Sequence, residues 1–254
     1  MKTLISSALV LIFACSQVAA QVNRDKLFDF RTETRNNPPR ITAAANKRIL
    51  SAVFPKYLSD ARYCKEDVDT TGANDYLAAM RKAGQIVPSV LDLATGSFTV
   101  AGEEQVAYVI SVGECNASHA DNFGSKRLAI FAGNRLVLNA DLDFKSGILK
   151  KTDLDANGLN ELLLLGGDMN QGILIETAAL VTVRNRKVVV VQDFKKVFED
   201  SCASLIPGSG IDASVIFLGP ARSGQMPALQ VENYRAGCGR TKRWRFKSKG
   251  IMEF

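Results

Sequence analysis

The chain has 254 residues, of which 46% are hydrophobic and 23% charged, and its net charge is +6. These are the proportions of a folded chain with a real core, and they exclude a coreless, highly charged polymer. The single histidine, His119, excludes zinc chemistry built on several imidazoles.

Lys2 precedes an apolar stretch over residues 4–14, and Val18-Ala19-Ala20 supplies small residues before a cleavage after Ala20. That order predicts a secretory signal peptide over 1–20 and an exported chain, periplasmic or extracellular. No later segment reaches about 18 unbroken apolar residues, so no transmembrane helix is expected in the mature chain. Ile12-Phe13-Ala14-Cys15 resembles a bacterial lipobox, which implies the alternative of a lipid anchor on Cys15.

Loss of residues 1–20 leaves 234 residues, and loss of Lys2 takes the net charge from +6 to +5. The cations Arg235, Arg240, Lys242, Arg243, Arg245, Lys247 and Lys249 gather near the C-terminus. Such a patch can meet anionic lipid, polysaccharide or nucleic acid. Trp244 and Phe246 interleave with the charges at period two, which instead reads as a strand with one solvated face. An exported chain argues against nucleic acid as a partner.

Four cysteines remain after the signal: Cys64, Cys115, Cys202 and Cys238. An even count in an exported chain predicts two disulfides, and three connectivities are possible. Nearest-neighbour pairing gives Cys64–Cys115 and Cys202–Cys238. No C-x-x-C spacing suggests a redox or zinc-ribbon motif.

Residues 21–41 are polar and read as a mobile leader or an extended strap. A helical segment is expected over 42–96. Thr42 can cap its first helix, and Ile49, Leu50, Val53, Phe54, Tyr57, Leu58 and Ala61 form an apolar stripe interrupted by Pro55. A second short helix is expected over 73–84.

Over 97–254 the pattern becomes that of a mainly β domain with an internal repeat. The runs 108–113, 161–166 and 214–219 align without gaps, and their glycines Gly113, Gly166 and Gly219 are 53 residues apart. Each is expected to be a buried strand that the glycine closes with a turn. Hairpins are expected to follow, Leu128–Phe131 into Leu136–Leu138 and Leu180–Val183 into Val188–Val191. The units end on Phe144, Phe194 and Phe246, spaced 50 and 52 apart. The fold class is therefore mainly β, with three antiparallel units of about 50 residues, propeller-like or a sandwich, behind short N-terminal helices.

Residues 153–161, Asp-Leu-Asp-Ala-Asn-Gly-Leu-Asn-Glu, place Asp153, Asp155 and Asn157 at alternate positions before the tight-turn residue Gly158. Their oxygens, the Leu159 carbonyl and Glu161 can converge on one hard cation such as Ca²⁺. An EF-hand is excluded, because Leu164 stands at the twelfth position and a strand follows instead of a helix. The competing reading is a strand-entry turn in which the Asp and Asn side chains bond backbone amides.

Thr152 to Leu165 resembles the calcium loop of FG-GAP repeats, as in integrin α propellers and VCBS-type secreted proteins. The resemblance implies that Asp153, Asp155, Asn157 and Glu161 bind Ca²⁺ through their side chains and Leu159 through its carbonyl. The equivalent stretches 100–108 and 206–214 lack the acidic spacing.

Catalytic signals are few. Ser118, Ser125, Asp121 and Glu114 lie near His119 in sequence, but no G-x-S-x-G elbow or H-E-x-x-H is present. Asn116-Ala-Ser118 is a glycosylation sequon. Two functions follow. One is a secreted non-catalytic binding or structural module, meeting a protein or glycan on the loop face that carries the His119 loop and residues 168–172. The other is a secreted hydrolase using His119 with a carboxylate supplied elsewhere in the fold.

Overall fold

The computed structural model describes residues 25–32, 39–55, 88–111, 126–142, 145–220 and 224–252. They form a mainly β protein with two antiparallel sheets, neither closed into a barrel. The signal peptide with Cys15, the second helix at 73–84, Cys64, Cys115, the His119 loop and Phe144 lie outside the described residues.

The first sheet runs in chain order through β2 (Ser89–Gly96), β3 (Gln105–Ser111), β4 (Lys126–Ala132) and β5 (Arg135–Asp141). The second runs in chain order through β6 (Lys145–Thr152), β7 (Glu161–Asn170), β8 (Ile173–Arg184), β9 (Lys187–Asp200), β10 (Ile211–Leu218), β11 (Leu229–Ala236) and β12 (Arg245–Met252). Neighbouring strands in these two runs are antiparallel, so consecutive strands pair without a crossover helix.

The predicted hairpins form. Gly133 (φ 58°) turns β4 into β5, and Asn185 (φ 52°) and Arg186 (φ 57°) turn β8 into β9. Two successive positive φ angles are the geometry that matches the twist of a two-residue hairpin.

The apolar run that opens β7 is buried on both faces. Leu162 and Leu164 pack with Ile148, Ala179 and Val181 against Val109, Leu128 and Ile130 of the first sheet and Phe98 of the β2–β3 connection. Leu163 faces the other way, with Ala178, Leu180 and Phe194, toward Phe28, Phe30 and Ile216. A strand covered on both sides needs no polar alternation, which explains four successive leucines. The sheets also share a polar tie, as the Ile148 N–H donates to buried Asp92 Oδ2 at 2.7 Å.

α1 (Ala43–Val53) begins where Thr42 predicts, its Oγ1 accepting the Ala45 N–H at 3.2 Å. Ile49, Leu50 and Val53 seat on Ile110, Ala129 and Phe131 of the first sheet. Pro55 follows the helix end and lacks the N–H a continuation would need.

Four expectations are corrected. The leader contains a strand, β1 (Lys26–Asp29), which pairs antiparallel with β10 through Phe28↔Ile216 and Asp29↔Val215. Its register shift turns both Leu27 and Phe28 inward, which hides the period-two signal. The helical segment does not extend to 96, because β2 starts at Ser89. Gly166 does not end its strand; β7 continues to Asn170 and turns at Gln171-Gly172. Finally, Phe194 is buried but Phe246 is 58% exposed, meeting only the edge of the Tyr234 ring among the described aromatic contacts. It lies on the edge strand β12, which no further strand covers among the described residues.

Of the two expected disulfides, Cys202–Cys238 is present with a Cα–Cα separation of 5.4 Å. Among the described residues no helix is long and apolar enough to cross a membrane.

Candidate metal centre

The 153–161 loop joins the neighbouring strands β6 and β7 of the second sheet and meets the β2–β3 connection of the first through Asn160. Leu154 points into the core and anchors the loop from within. Ala156 (φ 57°) and Gly158 (φ 85°) take left-handed backbone, which folds the acidic side chains back on one point. Gly158 is required sterically as well, since a Cβ there would stand 2.9 Å from the Ala101 Cβ.

The structure brings together three of the five expected ligands. Single carboxylate oxygens of Asp153, Asp155 and Glu161 lie within 4.8 Å of one another, with Asp153 toward solvent and the other two buried. Asn157 sits beside them, its Nδ2 donating to Asp155 Oδ2 at 3.0 Å and its Oδ1 accepting the Leu159 N–H at 2.7 Å. Leu159 is half-buried in the same turn.

Many of these groups are already bonded within the turn. Asp153 accepts from the Asn157 N–H at 3.1 Å and the Gly158 N–H at 2.9 Å. Asp155 Oδ1 accepts from the Asn157 N–H at 3.3 Å. Those bonds are what a plain strand-entry turn needs, and alone they call for no ion.

Glu161 is different. It is 0% exposed, and its Oε2 accepts the Leu154 N–H at 2.9 Å. Its Oε1 is buried with no hydrogen-bond partner among the described residues. Burial pushes its pKa above the usual glutamate range, and the nearby Asp155 and Asp153 carboxylates push the same way. The Leu154 N–H and Glu161's own backbone only partly offset this. A buried carboxylate oxygen without a donor is costly, and either a proton on the carboxyl group or a bound cation removes the cost and the mutual repulsion together. The donor set is all oxygen, which suits Ca²⁺ or Mg²⁺ rather than a thiophilic metal.

Sequence reasoning missed what holds the loop from outside. The Asn160 N–H donates to the Ser97 carbonyl at 2.6 Å, and Asn160 Oδ1 accepts the Ser97 N–H at 2.9 Å. The Asp155 carbonyl accepts the Gly224 N–H, from the β10–β11 connection, at 2.8 Å. No local pattern marks such pairs, because the partners lie 63 residues apart in the first case. His119 and its neighbours Ser118, Ser125, Asp121 and Glu114 lie outside the described residues. No family model, no curated protein and no solved structure matches this chain.

Proposed function

We propose that the chain is an exported, non-catalytic binding or structural module, built from three four-stranded units and stabilised by one Ca²⁺ in the 153–161 loop. The observation that carries the metal reading is the buried Oε1 of Glu161, which has no hydrogen-bond partner among the described residues and lies beside Asp153 and Asp155. Asp153, Asp155 and Glu161 would hold the ion, with Asn157 and the Leu159 carbonyl completing the shell. The ion would supply charge neutralisation alone. Glu161 and Asp155 are buried and the loop is backed by Leu154, which leaves little access for a substrate, whereas a catalytic ion keeps an open position.

Strand order supports the repeat. β2–β5 and β6–β9 are each four-stranded meanders, and β1 stands beside β10 where a first strand would stand in a third unit, β1-β10-β11-β12. The runs carrying Gly113, Gly166 and Gly219 then fall at the second strand of each unit, on or just after β3, β7 and β10. This order supports the propeller-like reading, although β9 and β10 pair and join the second and third units in one sheet. A protein or glycan ligand on the connecting loops fits such a module. Export is supported by the Val18-Ala19-Ala20 site and the Cys202–Cys238 disulfide, which persists in oxidising compartments.

Thermal melting in EGTA and in millimolar CaCl₂ tests the metal. At about ten times Kd, calcium adds about 1.4 kcal/mol, a rise of a few degrees in the midpoint. Mg²⁺ should do less, because it tolerates irregular oxygen shells poorly. Asp155→Ala should lose the response. A wild-type midpoint indifferent to calcium would reduce the loop to a turn.

A further inference from the structure

The connection between β9 and β10, residues 201–210, presents aliphatic side chains to water on a braced frame. Leu205 is fully exposed, at 102%, and Ile206 is 56% exposed. Serines hold the base closed. The Ser201 N–H and Oγ both donate to the Gly210 carbonyl, at 3.0 and 2.9 Å. The Ser204 Oγ donates to the Ser201 carbonyl at 2.7 Å and lies 3.0 Å from the Ser209 Oγ. Ser209 in turn donates to the Ile206 carbonyl through both its N–H and its hydroxyl. Arg235 Nη2 donates to the Gly208 carbonyl at 2.7 Å and ties the loop to β11. A slack loop could fold two aliphatic side chains away from water, but this one is fixed with them outward.

The same loop is joined to a cationic one. Cys202–Cys238 fixes it to the β11–β12 connection, and Arg240, Lys242 and Arg243 follow Cys238 within five residues, all exposed. From Asn233 to Met252 the chain carries seven Lys and Arg and no Asp or Glu. Arg235 and Lys247 are engaged by Asp212. Of the acids near the 201–210 loop, Asp200 accepts the Cys202 N–H and Glu199 pairs with Lys196, while Asp168 is exposed toward the end of β7.

We propose that Leu205 and Ile206 form a finger that inserts into the surface of an anionic phospholipid bilayer, with Arg240, Lys242 and Arg243 holding the headgroups. A short apolar insertion or a basic patch alone binds membranes weakly, and the two together give useful affinity. An anionic polysaccharide would match the cations but leave both aliphatic side chains in water. The bilayer accounts for both features.

The test is vesicle co-sedimentation of the chain from Gln21 to Phe254. One set of vesicles is phosphatidylcholine alone, and the other is equal parts phosphatidylcholine and phosphatidylglycerol. Binding is expected to the anionic vesicles only, and to fall with added salt. Leu205→Ser with Ile206→Ser should weaken it at least about tenfold, since burial of even one of the two aliphatic side chains is worth that much. Arg240→Gln, Lys242→Gln and Arg243→Gln should each weaken it about fivefold. All these side chains are exposed, so the variants should keep the wild-type melting midpoint, which is measured alongside. No binding to anionic vesicles, or binding that survives the Leu205/Ile206 replacement, overturns the proposal. So does a wild-type dimer in sedimentation velocity that ignores vesicles and dissociates in the Leu205/Ile206 variant, which would assign the finger to a second copy of the chain.

Discussion

Ser97 and Asn160 clasp each other across the seam of the two sheets: each backbone N–H is satisfied by the other residue, at 2.9 Å through the Asn160 Oδ1 and at 2.6 Å through the Ser97 carbonyl. Ser97 follows β2 and Asn160 precedes β7, so the clasp locks the 153–161 loop onto the first sheet. Asn160→Ala leaves the Ser97 N–H without its partner in a half-buried place and should cost about 1–2 kcal/mol. Gly96→Ala should act on the same contact, because its Cβ would overlap the Asn160 Oδ1. Urea denaturation reads both. If the clasp matters, the double variant loses less than the sum of the single losses, as expected for residues in one network.

The Cys202–Cys238 bridge closes a long segment, with 36 residues of sequence separation. On the chain-entropy account such a closure is worth about 4 kcal/mol, and removal of native bridges typically costs about 2–5 kcal/mol. Cys202→Ser with Cys238→Ser should therefore lower the denaturation midpoint clearly. It should also free the finger loop from the basic loop. Limited proteolysis checks this second effect, with new cleavage expected within 201–210 and none expected while the bridge is intact.

Phe28 tests whether the N-terminal segment belongs to the fold. It is 4% exposed, packs against Phe30 with ring centroids 4.7 Å apart, and pairs through its backbone with Ile216. Phe28→Ala should cost about 3–5 kcal/mol, the usual loss for a buried phenylalanine. A freely mobile leader would show no change. Asp29 adds a pH signature. Burial opposes its ionisation, but the Arg31 side chain and backbone N–H outweigh that and hold its pKa below the ordinary aspartate value. A depressed folded pKa contributes stability above the unfolded value of about 3.9, lost as pH falls through the folded value. Asp29→Asn should flatten that acid limb in denaturation curves.

How much of this was legible in the sequence depends on the range of the signal. The hairpin Val183-Arg-Asn-Arg-Lys-Val188 is local, and both its strands and its turn follow from apolar runs around Asn185. Thr42 marked its helix for the same reason. β1 was not legible, because four residues with a register shift carry no usable period, and their burial depends on β10, which lies far along the chain. Phe246 misled because periodicity records spacing and cannot say whether anything covers an edge strand. The acidic loop was legible as a cluster, since alternate Asp, Asp and Asn converge in any tight turn. That Glu161 is fully buried with one oxygen unpartnered among the described residues was not, because local spacing does not record burial.

Glu161 supplies the sharpest test, because pH and calcium should act on it in opposite senses. Without metal its ionised form is disfavoured, first by burial and then by Asp155 and Asp153, so its folded pKa lies above the unfolded value. The native state then binds more protons than the unfolded chain over that interval. The stability contributed by this group is complete below the unfolded value of about 4.3 and is lost as pH rises through the raised folded value. In EGTA the denaturation midpoint of wild type should therefore decline across that interval relative to Glu161→Gln, whose neutral amide has nothing to ionise. A bound cation reverses the preference by favouring the carboxylate, so millimolar calcium should abolish the decline in wild type and leave Glu161→Gln nearly unchanged. Midpoints measured from about pH 4 to about pH 8 in EGTA and in CaCl₂, for both proteins, cover the window in which a glutamate with a raised pKa titrates. Parallel wild-type and Glu161→Gln curves in EGTA would mean that the carboxylate is not strained, and the case for a cation at this loop would go with it.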